Sequence, residues 1–166
     1  MFILIRTAIL SLVLAFGAGA AFAQDFDKGA DHKASVADLI AKYIGVFKAS
    51  AEQGDVNDQY LLGEMYREGS SVIQDYAEAA KWYRMAAEQG DANAQYRLSE
   101  MYKWSMLGPR DRIRAHMWVN IASANGHKEA GGIRNTLANA MLPNDILKAQ
   151  SMARECMSSN YKNCGW

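Results

Sequence analysis

The pentapeptide Ala51-Glu52-Gln53-Gly54-Asp55 returns as Ala87-Glu88-Gln89-Gly90-Asp91, an offset of 36 residues. Aligning 51–66 with 87–102 gives 12 identities in 16, where unrelated sequence would give about one. A fainter third copy follows at the same offset: Asp75, Ala79, Trp82, Ala86 and Gly90 reappear as Asp111, Ala115, Trp118, Ala122 and Gly126. A repeat of this length specifies a row of equivalent units, each leaning on its neighbours.

Every unit carries the punctuation of two helices. Asp55 and Asp91 stand where an N-cap is needed, and Asp75 with Glu78 has capping-box spacing. Gly54, Gly90 and Gly126 follow apolar-periodic runs, where a left-handed residue ends a helix. Pro109 falls in an interhelical loop, and Pro143 opens a last helix. This punctuation predicts helices over about 35–53, 56–68, 76–89, 92–104, 112–125, 128–141 and 144–158, with no place for strands. Ala79, Trp82, Tyr83 and Ala86 fall on one helical face. Leu62, Met65 and Tyr66, repeated as Leu98, Met101 and Tyr102, supply the facing one. A single unit therefore has more apolar surface than it can cover alone.

These residues resemble the Sel-one-like repeat, a branch of the tetratricopeptide-like solenoids. The resemblance rests on Leu62-Gly63-Glu64-Met65-Tyr66, Gly69, Asp75, Ala79, Trp82-Tyr83, Ala86-Ala87 and Gln89-Gly90. The unit starting at Ala92 keeps Leu98, Met101, Tyr102, Asp111, Ala115 and Trp118. It replaces the loop glycines with Lys103-Trp104-Ser105-Met106-Leu107-Gly108-Pro109, which predicts a loop of different shape. The resemblance covers roughly 43–141 and implies an all-α, right-handed superhelix of about three 36-residue helix-turn-helix repeats with a C-terminal capping helix. It also implies adaptor or scaffold work. The expected organisation is a signal peptide at 1–23, a flexible segment at 24–34, a repeat domain at 35–158 with units near 56–91 and 92–127, and a disulfide-pinned tail at 159–166.

The signal peptide is read from Arg6, the nearly charge-free stretch Thr7–Ala20, and Ala21 and Ala23 at signal-peptidase spacing, with cleavage expected after Ala23. The apolar run is short for a membrane anchor, and no other segment is suited to crossing a bilayer. Eighteen basic against 18 acidic side chains leaves little long-range attraction for nucleic acid or anionic lipid. The expected partner is another protein or peptide of the cell envelope, in the periplasm or outside the cell. Association between copies stays open.

Cys156 and Cys164 lie eight apart, and an even count in an oxidising compartment favours a bridge that closes the end of the array. A redox pair would need a C-x-x-C spacing that is missing. His32, His116 and His127 are scattered without metal-ligand spacing, and no nucleotide or hydrolase motif occurs. No catalytic residue, metal or cofactor is therefore expected. Ser159-Asn160-Tyr161-Lys162 matches S-x-x-K, which keeps a penicillin-interacting hydrolase as an alternative, although the tetrad lies in a tail with no K-T-G or S-D-N partner. A third reading is a peptidoglycan or glycan binder that stacks sugars on Tyr and Trp.

The candidate contact residues are Tyr60, Glu64, Arg67, Tyr96, Glu100, Lys103 and Trp104. The glutamates, one repeat apart with a cation one turn on, would give a mixed-charge groove on adjacent helices. The tyrosines serve equally as core or as groove rim. Trp104 stands where the previous unit has Glu68, and such departures are where a repeat scaffold acquires specificity.

Overall fold

The computed structural model describes residues 35–165, which form seven α-helices and no strand. These are α1 (Val36–Glu52), α2 (Val56–Glu68), α3 (Tyr76–Glu88), α4 (Ala92–Lys103), α5 (Arg112–Ala124), α6 (Ala130–Asn139) and α7 (Pro143–Ser158). The expected signal peptide, the 24–34 segment, His32 and Trp166 lie outside the described residues. Two compact units divide the chain, Met1–Leu39 and Ile40–Trp166. In the first, the described residues are the opening of α1, where Ser35 and Asp38 cap each other's amides at 3.0 and 3.2 Å. The rest of α1 and helices α2 to α7 belong to the second.

The aspartate caps stand where the spacing puts them. Asp55 accepts from the Asp58 amide, Asp91 from Ala94, Asp111 from Arg114, and Asp75 from both Ala77 and Glu78. Each satisfies amides that the first helical turn leaves without a partner. The turns that end α1, α3 and α5 share one hydrogen-bond pattern. Asp55, Asp91 and His127 donate their amides to Ser50, Ala86 and Ala122 across Gly54, Gly90 and Gly126, whose φ values of 102°, 89° and 89° suit glycine.

Helix α6 departs from expectation. It begins at Ala130 rather than 128 and ends at Asn139, because Glu129 at its N-cap makes no side-chain capping bond. Pro143 opens α7 as predicted. Helix α7 then packs along α5 rather than pairing with α6 as a third full hairpin would. The last helix thereby covers the end of the stack.

The core runs through the stack in overlapping layers. Phe47, Ala51, Leu62 and Trp82 join α1, α2 and α3. Tyr83, Ala87, Leu98, Met101, Met117, Trp118 and Ile121 join α3, α4 and α5, and Ala149, Ala153, Cys156 and Cys164 bring in α7. Tyr96, Ala115, Val119, Ala122, Ala130 and Leu137 join α4, α5 and α6. Each layer draws on at least three helices, so no hairpin hides its apolar face unaided. Small residues at Ala79, Ala80, Ala86, Ala87 and Ala94, all essentially inaccessible, let the helices approach closely.

One exchange shows how two units of the same pattern pack differently. A Cβ on Gly63 would lie 2.4 Å from the Tyr83 ring, so the tyrosine occupies the space that the glycine leaves. One repeat on, Ser99 and Val119 take these positions, and the Ser99 hydroxyl donates to the Ala115 carbonyl at 2.8 Å. Volume lost on one helix is regained on the other.

A polar seam joins the units. Gln59, buried, donates to the Ala51 carbonyl at 2.9 Å, and the Gln89 amide donates to the Gln59 Oε1 at 2.9 Å. One repeat later Gln95, also buried, donates to the Ala87 carbonyl at 3.1 Å, and the Asn125 amide donates to the Gln95 Oε1 at 2.9 Å. The Tyr161 hydroxyl then meets the Asn125 side-chain amide at 2.9 Å. Buried amides satisfied in this chain fix register at little cost, whereas an orphaned member would be expensive.

Candidate functional site

The first helices of the two best-matched units carry a charged cluster. Glu64 on α2 accepts from Arg67 one turn along (2.8 Å), from the Tyr83 hydroxyl of α3 (2.6 Å), and from Arg97 Nε of α4 (2.7 Å). Arg97 also reaches Glu100 at 2.7 Å, and Arg67 pairs with Glu68 as well. Burial works against the ionised Glu64 carboxylate, but its bonds to Arg67, Tyr83 and Arg97 outweigh that, so it titrates below the usual range. Burial pushes the Tyr60 and Tyr83 phenols up, and the Glu64 charge adds to the effect in both. Tyr60 is half-buried beside Tyr83, ring centres 5.9 Å apart.

Tyr60, Glu64, Arg67 and Glu100 are thus brought together, with Arg97 as the link between helices. The expected pairing of Glu100 with Lys103 is replaced by this link, because Arg97 is one turn earlier on the same helix and also within reach of Glu64. Arg97 is not marked by the repeat. Its signal was a charge at the repeat position of Leu61, where the pattern is otherwise apolar.

The other candidates lie apart. Tyr96 is buried on the core side and stacks flat on His127, ring centres 4.1 Å apart and 9° from parallel. Trp104 caps the C-terminus of α4, is 55% exposed, and has the Lys103 ammonium 4.6 Å from its ring centre. The loop after it keeps the left-handed position of Gly69 at Ser105 but differs from its counterpart beyond it, with the second left-handed residue at Gly108 rather than at 107, the position equivalent to Ser71. His116 is buried, and burial, aided by the Arg134 charge, holds its imidazole below the ordinary pKa.

Cys156 and Cys164 form the expected disulfide. The ring they close puts Tyr161 over Gly90, where a Cβ would lie 3.6 Å from the tyrosine ring. The Ser159 hydroxyl bonds the Cys156 carbonyl at 2.8 Å and accepts the Asn163 amide at 2.9 Å. The tail's own turn thus engages the oxygen that an acyl-enzyme would need as nucleophile. Among the described residues no group of three His, Cys, Asp or Glu side chains could hold a metal ion. No helix among them is long and apolar enough to cross a membrane.

Antiparallel helix pairs repeated at 36 residues and joined through layered cores define an α-helical repeat protein. Residues 57–91 and 92–127 each match the Sel1 repeat, so the chain carries two Sel1 repeats. The residues that carry the fainter copy, Asp111, Ala115, Trp118, Ala122 and Gly126, fall inside the second matched range. The crystal structure of a protective antigen present in uropathogenic Escherichia coli strains, displaying an SLR fold, is similar at 27% identity and a TM-score of 0.68. That similarity covers 78% of this chain but only 28% of the antigen. A Sel1 repeat protein from Oxalobacter formigenes is similar at 25% identity and a TM-score of 0.55, over 73% of this chain and 98% of that one. No curated protein matches the sequence. Sel1 repeats generally serve as protein–protein interaction scaffolds.

Proposed function

We propose that this chain is an exported, non-catalytic scaffold of the bacterial cell envelope, which binds a protein or peptide through the exposed side of α2 and α4. The observation that carries the reading is the cluster of Glu64, Arg67, Arg97 and Glu100. It spans two repeats, is held in one geometry by mutual ion pairs, and keeps 17 to 30% of each side chain exposed. Prearranged charges of both signs select a partner and its orientation more than they add raw affinity. Tyr60 and Trp104 with Lys103 supply the aromatic contacts, and Tyr96 contributes by holding the His127 ring. Export is supported by the signal-like first 23 residues together with a disulfide, which persists in oxidising compartments.

Affinity capture by the mature chain from native envelope material, quantified by mass spectrometry, tests the reading. A partner retained by the native chain and lost about tenfold with Trp104→Ala, at unchanged helical circular dichroism, is the expected result. Equal retention by both, or covalent labelling of Ser159 by a fluorescent β-lactam, would overturn it.

A further inference from the structure

Among the described residues four large apolar side chains are more than half exposed: Ile73 at 90%, Leu142 at 70%, Leu147 at 62% and Trp104 at 55%. Ile73, Trp104 and Leu142 belong to the turns after α2, α4 and α6, and Leu147 follows within the first turns of α7. With successive helices antiparallel, the α2–α3 and α4–α5 turns emerge on the same edge of the stack. Arg112 at the start of α5 bonds the Ala140 carbonyl at 3.3 Å, which ties the α6–α7 turn to that edge.

A cleft of about 600 Å³ opens there. Tyr102, Leu107 and Ile113 give it apolar wall, Arg110, Arg112 and Arg114 give it cationic wall, and Asp145 of α7 also lines it. Arg114 is committed to Asp111 at 2.7 Å and sits 5.9 Å over the Tyr102 ring. Arg112 has only the long bond to Ala140, and Arg110, exposed, has no ion pair among the described residues. Guanidinium forks beside apolar surface suit carboxylates carried next to an apolar side chain.

We infer that this edge docks an acidic peptide segment, its carboxylates on Arg110 and Arg112 and a neighbouring aromatic or branched side chain against Leu107 and Ile113. Trp104 and Leu142 stand exposed in turns of the same edge. An anionic bilayer suits the edge less well, because Asp111 and Asp145 stand among the arginines and would repel a continuous sheet of phosphates. The inference rests on the scaffold reading above and adds a second surface with a stated partner chemistry.

Fluorescence polarisation with the mature chain tests it. The probe is a labelled decapeptide alternating Asp with Phe and Leu; the controls are the same peptide with Lys for Asp and with Ser for Phe and Leu. The acidic apolar peptide should bind, weaken with added salt, and lose about tenfold in affinity to Arg110→Glu/Arg112→Glu at unchanged circular dichroism. Both controls should fail. Equal binding by native and variant protein, equal binding of the Ser control, or binding only to phosphatidylglycerol vesicles would overturn the inference. Peptide failure alongside Trp104-dependent capture from envelope material would remove this inference alone and leave the scaffold reading standing.

Discussion

The two edges of the stack reverse the chain equally often but by different means. Turns between units use the same left-handed glycine, the same backbone bonds and buried glutamines as cross-links. Turns within units keep less of a common plan. The left-handed position of Gly69 returns at Ser105, and two backbone bonds recur, Ser70 to Met65 as Met106 to Met101 and Asp75 to Tyr66 as Asp111 to Tyr102. The second left-handed residue moves from Ser71 to Gly108, however, and different apolar side chains stand in water at each. An edge bound into the polar seam must repeat if neighbours are to stay in register. An edge outside it is free to diverge, and divergence is where recognition can be added.

The largest expected effect concerns the bridge that holds Tyr161 at the seam's end. Replacing Cys156 and Cys164 with serine should cost about 2 to 3 kcal/mol by the loop-entropy relation and lower the melting temperature by roughly 8 °C in calorimetry. A smaller change would mean that the tail stays seated by its hydrogen bonds alone. Next comes Gln95→Leu, which removes the buried side-chain donor to the Ala87 carbonyl and one of the two acceptors of the Asn125 amide. It should cost about 1 to 3 kcal/mol in urea unfolding, and a neutral result would demote the seam from cross-link to bystander. Smallest is Ile73→Ser on the other edge, expected within about 0.5 kcal/mol of native in the same measurement. A loss above about 1 kcal/mol would erase the contrast between the edges.

Much of this fold is legible in the sequence, because repetition converts local signals into tertiary ones. The aspartate caps, the three glycine turns and six of the seven helices follow from spacing alone. Helix α6 is less legible, since Gly131 and Gly132 weaken its first turn and Glu129 gives no cap. The packing of α7 on α5 is not legible at all, because it depends on what covers Trp118 and Ile121 once the repeat has run out. At the site, Glu64, Arg67 and Glu100 are visible through recurrence. Arg97 is hidden by the same logic, since a search for what repeats passes over the residue that does not. Gln59 and Gln95 lie in plain view among the identities, but polar identity reads as surface until burial is known.

The amide seam also sets how long the array can be. Each joint presents an Oε1 on one side and expects an NH₂ on the other, so a further copy of 36 residues placed between Asp91 and Ala92 would find its mating groups ready. Past Asn125 that opportunity closes: Gly131 stands where the next glutamine would fall, and a phenol from the tail occupies the socket. The molecule can thus be lengthened from within but not from its carboxyl end.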